Sequence, residues 1–194
     1  VALAAVQPGE DALDLASGTG DVARLIARRG GRAIGLDLTR RMIEIARDKP
    51  PPPGARPVRW LVGDMGALPL PGGAVSLVTA SYGLRNVPDL DRAIDEIVRV
   101  LTPGGRLLSL DFNRPESPLV RGAYLGYLQV VGGGLGWWLH GDPDTYRYIP
   151  ASIARYPGAA GVAARLRQRG FADVQIVPVL FGLMTIHVAR LPGR

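Results

Sequence analysis

The stretch DLASGTGD, residues 14–21, decides how this chain folds. Residues 12–16 (ALDLA) are an apolar run that enters Ser17-Gly18-Thr19-Gly20, and beyond that turn Val22, Leu25 and Ile26 recur at helical spacing up to Gly30-Gly31. Strand, glycine turn and helix follow in that order. Residues 32–36 (RAIGL) give a second strand closing on Asp37, and Leu38-Thr39 leads into a helix with Met42, Ile43 and Ala46 on one face, stopped by the prolines at 50–53. That completes a βαβ unit. A third strand over 58–62 ends at Gly63-Asp64, PLPGG (69–73) turns the chain, and 74–80 (AVSLVTA) is apolar almost throughout, as a strand covered on both faces should be. Asp89 opens a helix with Ala93, Ile94, Ile97, Val98 and Leu101 on one side, halted by Pro103-Gly104-Gly105 before a fifth strand at 106–112. A helix around 161–169 precedes two strands, 174–179 and 183–189. Only 180–182 separate them, too few for a crossover, so they pair antiparallel. The expected fold is α/β, a doubly wound, mostly parallel seven-stranded sheet with an antiparallel C-terminal strand.

At 194 residues the chain is sized for one domain, 1–194, with no internal repeat. Its 26 Gly and 17 Pro make it rich in loops without approaching low complexity. Having no cysteine, it carries no disulfide, no thiolate nucleophile and no Cys-bearing metal site, which points to a reducing, cytoplasmic setting; with only His140 and His187, no metal site is expected. The net charge of +6 rests on scattered arginines and a single lysine, Lys49. Scattering argues against a nucleic-acid surface, whereas an anionic membrane surface remains a suitable partner. The start, VALAAVQPGE, has neither initiator Met nor a basic, cleavable leader; no secretory signal is expected, and the chain reads as cut. Residues 122–139 are uncharged over the shortest length that crosses a bilayer, but six are glycines, each costing about 1 kcal/mol of helix propensity. Spanning is not expected, and the segment's Tyr and Trp suit an apolar-to-wet boundary.

Gly18-Thr19-Gly20 lies where backbone N–H groups at a helix start meet anionic or polar ligand atoms. With Ala23 it satisfies G-x-G-x-x-[GA], and Asp37 suits a ribose hydroxyl, which fits either NAD or S-adenosylmethionine. Asp64 ends strand three, where it can accept from an adenine amino group, and the terminal hairpin stands where a dehydrogenase needs a second mononucleotide-binding half. These features favour S-adenosylmethionine. Turning and helix capping explain any one of these residues, but not all of them at the strand ends of one sheet.

DLASGTGD (14–21), GLDLTRRMIEIARDK (35–49), GDMGALPLP (63–71), SYGLRNVPDLDRAIDEIVRVLTPGGRLLSLDF (81–112), YRYIPASIARYP (146–157) and FGLMTIHVA (181–189) together resemble the ubiquinone/menaquinone-biosynthesis C-methyltransferases, from about residue 12 to 190. The motifs up to Asp64 are common to many class I methyltransferases; GLRNV, YRYIPASI and GLMTIH are more particular. The resemblance implies methyl transfer from S-adenosylmethionine to a ring carbon of a prenylated quinol, demethylmenaquinol in preference to a ubiquinol precursor, with S-adenosylhomocysteine as product. It implies cofactor contacts at Thr19, Asp37, Asp64, Met65 and Ser81, with Asp14, Gly18 and Gly20 lining the same pocket. Relatives extend further upstream, with a helical lid expected to be missing here, and 113–157 is expected to form a substrate-side insertion.

For ring methylation a neighbouring hydroxyl must release its proton and feed electron density into the ring. Arg85, always protonated, reads as the partner of the developing phenolate, with a surface ion pair to Asp89 or Asp91 as the bland alternative. Asn86 can orient the hydroxyl and Tyr82 can wall the ring or relay a proton; the base is unassigned. His187 reads as a satisfied strand histidine, His140 has no role, and Tyr146 and Tyr148 read as packing. Residues 119–139, with Tyr124, Tyr127, Trp137 and Trp138, would meet the isoprenoid tail or the bilayer, or else form a buried lid. Two competing readings are an RNA methyltransferase, which lacks its expected N/D-P-P-[YF] turn here, and a non-catalytic cofactor-binding scaffold.

Overall fold

Strand β1 (Asp11–Leu15) alternates strictly between the two sides of the sheet: Leu13 and Leu15 enter one core, Ala12 the other, and all are buried. The computed structural model describes residues 2–115, 117–140 and 148–193, and side chains for all of these except 132–140 and 148. The chain continues through α1 (Asp21–Arg28), β2 (Arg32–Asp37), α2 (Arg40–Asp48), β3 (Arg59–Val62), β4 (Val75–Ser81), a 3-10 turn at Leu84–Asn86, α3 (Leu90–Val100) and β5 (Leu101–Phe112). It ends with α4 (Pro118–His140), α5 (Tyr148–Arg155), α6 (Gly158–Gln168), β6 (Asp173–Val179), a second 3-10 turn at Leu180–Gly182 and β7 (Met184–Arg190).

The sheet has seven strands in the order β3-β2-β1-β4-β5-β7-β6, parallel except that β7 runs against both neighbours. Strand order reverses between β1 and β4, which leaves a crevice beyond their carboxyl ends. One apolar core holds Leu13, Leu15 and Val78 with Ile94 and Ile97 of α3 and Val162 and Leu166 of α6. The opposite core holds Ala12, Leu77 and Leu108 with Ala23, Ile26 and Ala27 of α1. The sheet edges are short at β3 and interrupted by Pro178 at β6, which limits strand addition.

Three elements depart from the sequence reading. The fifth strand begins at Leu101 rather than 106: Val75 pairs with Leu101 and Leu77 with Arg106, so 102–105 bulge from the register instead of ending the pairing. The glycine-rich segment lies in a 23-residue helix, α4. Ser117 starts it, accepting from Val120 N, Pro118 occupies its first position, and Tyr124 anchors it by donating to Leu183 O at 3.3 Å. Tertiary contact overrides the propensity cost of the glycines. Among the described residues no helix is long and apolar enough to cross a membrane. Finally, YIPASIAR is a helix of its own, α5, joined to α4 by contacts.

Candidate functional site

The turn after β1 is held from below. Asp14 is buried; its Oδ2 accepts from Ala23 N in the first turn of α1 at 3.1 Å and its Oδ1 from Thr79 Oγ1 of β4 at 2.6 Å. Burial outweighs both bonds and pushes its carboxyl up to about 7, aided by the charges of Asp37 and Asp21. Asp14, which the sequence reading set in the pocket lining, is buried beneath the turn and braces it. Above it the chain is left-handed at Ala16 (φ 50), Gly18 (φ 53) and Gly20 (φ 86). A non-glycine residue in that region is uncommon and strained, and strain of this kind gathers at functional sites.

Asp37 reaches across from β2: Oδ2 accepts from Gly18 N and Oδ1 from Thr39 N, both at 2.8 Å. Each oxygen keeps a lone pair for a ligand hydroxyl. Thr19 Oγ1 accepts from Lys49 Nζ at 2.8 Å, and the same ammonium pairs with Asp21 at 2.9 Å. Asp64, exposed past β3, accepts from Gly66 N at 2.8 Å. Met65 packs on the core beside Gly83, where an added Cβ would sit 2.6 Å from Ala16 Cβ and 3.4 Å from Met65 Cε. Ser81 ends β4, and Tyr82 follows it with φ 60. The named residues thus gather along the carboxyl ends of β1 to β4.

The cradle suits a nucleoside with a charged aliphatic arm. A side chain on Gly18 would project into open space, so a ligand can approach the backbone there. Ser17 Oγ is buried with no partner among the described residues, and Leu38 is 71% exposed beside Asp37. Trp60, which the sequence did not flag, supports the floor: a Cβ on Gly20 or on Gly35 would come within 2.3 Å of its ring. Lys49 was likewise missed, because its partner Thr19 is 30 positions away.

Arg85 pairs with neither Asp89 nor Asp91. Asp89 caps α3 through Arg92 N at 3.0 Å, and Asp91 faces Arg165 and Arg169. Arg85 Nε instead donates to Asp111 Oδ1 at 3.0 Å, its backbone N to Asp111 Oδ2 at 3.1 Å, and Nη1 to Ser152 Oγ. Its Cζ lies 5.3 Å from the centre of the Phe112 ring. Arg85, Ser152 and Tyr156 line a cavity of about 640 Å³ at the start of α3, and Tyr156 OH is buried with no partner among the described residues. Asn86 Nδ2 donates to Tyr82 O at 2.9 Å, bracing the strained residue. The Tyr82 ring lies 5.4 Å from that of Phe112, and burial together with Asp111 raises its hydroxyl pKa, so the hydroxyl stays protonated at neutral pH. His187 Nε2 is 3.0 Å from Ala159 O, and burial lowers its pKa, as expected of a satisfied strand histidine. The side chains of Trp137, Trp138, His140, Tyr146 and Tyr148 lie outside the described residues.

Residues 1–190 match the profile of the ubiE/COQ5 methyltransferase family. The chain belongs to that family. Among ubiE/COQ5 relatives, it is 39% identical to the demethylmenaquinone methyltransferase of Thermus thermophilus over 93% of its length and 82% of the relative's. It is 38% identical to the ubiquinone/menaquinone biosynthesis C-methyltransferase UbiE of Rubrivivax gelatinosus, covering 97% of this chain and 73% of that one. It is also 38% identical to the 2-phytyl-1,4-naphtoquinone methyltransferase of Thermosynechococcus vestitus, covering 94% and 81%. A solved SAM-dependent methyltransferase from Aquifex aeolicus superposes with a TM-score of 0.70 over 98% of this chain and 86% of its own, at 17% identity, which speaks for the fold alone. This member of the ubiE/COQ5 family is a methyltransferase with a Rossmann-like sheet.

Proposed function

We propose that the chain transfers a methyl group from S-adenosylmethionine to a ring carbon of a prenylated quinol, demethylmenaquinol first among them, releasing S-adenosylhomocysteine. One observation supports this reading beyond the family: a buried guanidinium, Arg85, four residues past the end of β4, lines a cavity at the start of α3. The bound cofactor supplies an electrophilic methyl on a sulfonium. Asp37 takes the ribose hydroxyls and Asp64 the adenine amino group, with Met65 against the base. Gly18, Thr19 and Gly20 leave the backbone open to the amino-acid arm, and Ser81 stands beside the methyl donor. A quinol ring in the adjoining cavity loses a hydroxyl proton, and the resulting ring electrons form the new C–C bond. The C–S electron pair stays on sulfur, the ring proton at the methylated carbon is lost, and return of a proton to the ring oxygen restores the quinol, so that one proton is released overall. Arg85 stabilises the phenolate charge, Asn86 orients the hydroxyl and Tyr82 walls the ring.

Residues 113–157 would serve as the substrate-side insertion. Along α4 and at the 3-10 turn between β6 and β7, Leu119, Val120, Tyr127, Val130, Leu180 and Phe181 are exposed. β6 ends on the same side of the sheet as β5, which puts Leu180 and Phe181 at the carboxyl-end face, and we read these exposed groups as the ones that would meet the isoprenoid tail or an anionic bilayer surface. Incubation with labelled methyl donor and, separately, demethylmenaquinol, a ubiquinol precursor or bulk RNA tests the reading. Label on demethylmenaquinol is expected; label on RNA alone, or none, would overturn it. Arg85→Ala should slow turnover by about a hundredfold with cofactor affinity nearly intact.

A further inference from the structure

Arg85 and Asp111 form an ion pair whose side chains are 2% and 4% exposed. A buried pair of this kind is a poor source of stability, since apolar residues of similar volume do as well or better. Its geometry offers another reason for it. The two oxygens of one carboxylate take the backbone N–H and the Nε–H of the same residue, closing a ring that fixes the arginine side chain along its length. Phe112 covers the guanidinium plane, and Ser152, 67 positions away on α5, takes Nη1. With Nε and Nη1 engaged, Nη2 is the guanidinium nitrogen without a protein partner among the described residues.

We propose that Asp111 is a positioning residue for methyl transfer: it holds Arg85 so that Nη2 is the donor presented to the acceptor's ring oxygen. The proposal rests on the reading of Arg85 as the partner of that oxygen. Asp111 itself touches neither substrate nor cofactor; it acts by removing the rotamers in which the guanidinium would swing away or turn a different nitrogen to the cavity. A fixed donor costs no reorganisation at the moment of charge development, which is where such groups gain their effect. Ser152 is the second tether, and through it the arrival of α5 completes the arrangement.

Four forms of the full chain test this: native, Asp111→Asn, Arg85→Ala and the double variant, assayed with labelled S-adenosylmethionine and a short-tailed demethylmenaquinol. Folded Asp111→Asn should bind S-adenosylhomocysteine with native affinity and keep KM for the quinol, while kcat falls by roughly thirtyfold or more. The double variant should be no slower than Arg85→Ala alone, because the two residues act as one unit. The proposal is overturned if kcat of folded Asp111→Asn matches the native value, if the two losses multiply, or if cofactor affinity falls in step with kcat. Should Asp111→Asn not fold, Ser152→Ala carries the test, with kcat about fivefold lower at unchanged KM expected and an unchanged kcat overturning the proposal. A native protein that methylates no quinol overturns the functional reading and this proposal together, whereas an active native protein with indifferent variants overturns the proposal alone.

Discussion

Replacing Asp14 by asparagine should flatten the pH dependence of stability. In the native protein this carboxyl is buried under the glycine turn, and burial pushes its pKa up to about 7, against 3.8 in its ordinary setting. Its folded pKa lies above its unfolded one, so the native state holds the proton more tightly. The stabilisation from that proton is whole below about pH 4 and is lost as pH rises through 7. A difference of roughly three units amounts to about 4 kcal/mol overall, of which more than half is lost between pH 5 and 8. Asparagine can keep both contacts, its Oδ1 accepting from Ala23 N and its amide donating to Thr79 Oγ1, without an ionisation. Urea denaturation of both proteins at half-unit steps from pH 5 to 8 measures the difference. The asparagine variant should gain on the native protein by about 2 to 3 kcal/mol across that window. His187, whose pKa is lowered, and Asp111, whose pKa is raised, also contribute pH dependence, but they are common to both proteins and cancel in the comparison. A stability difference that stays constant from pH 5 to 8 would refute the assignment of a raised pKa to Asp14.

Asp37→Ala should weaken S-adenosylmethionine binding by about 1.5 to 3 kcal/mol, read by calorimetry, since it removes a charged acceptor and frees Gly18 N and Thr39 N; unchanged affinity would remove the ribose role. Gly35→Ala would drive a methyl group to within 2.3 Å of the Trp60 ring, so a loss of about 1 to 3 kcal/mol is expected in denaturant melts, with a shift in tryptophan fluorescence; a native melt would mean that the ring moves freely. Leu180→Ser with Phe181→Ser should reduce flotation with anionic vesicles, and high salt should reduce it further. Native protein that floats equally well whatever the lipid charge and salt would count against an electrostatic surface contact.

The succession of strands along the chain and the positions of Asp37, Asp64 and Ser81 at strand ends were legible because each is a local event, a strand closing on a polar residue before a turn. Leu180–Gly182 was readable as the hairpin connection for the same reason. The helix α4 was not, because its glycines speak against it locally and the contact that anchors it, Tyr124 to Leu183, spans 59 positions. Asp14 read as a pocket residue because it adjoins the glycine turn in sequence; the register of β1 beside β4, which sets it opposite Thr79, is what fixes it inward. The Arg85 pair shows the same limit. Asp89 and Asp91 are near in sequence and of the right charge, but Asp111 lies at the end of the adjacent strand, and adjacency of β4 and β5 is a property of the sheet.

Lys49 is the one side-chain amine in the sequence, and it rests against Thr19 and Asp21 at the glycine turn with about a third of its side chain exposed. Acylating reagents that ignore guanidinium groups therefore meet a single side-chain target, set beside the turn proposed to hold the cofactor. A fluorophore attached there becomes a reporter of ligand occupancy without any engineered residue. Slower acylation in the presence of S-adenosylhomocysteine would read that occupancy directly, by mass alone.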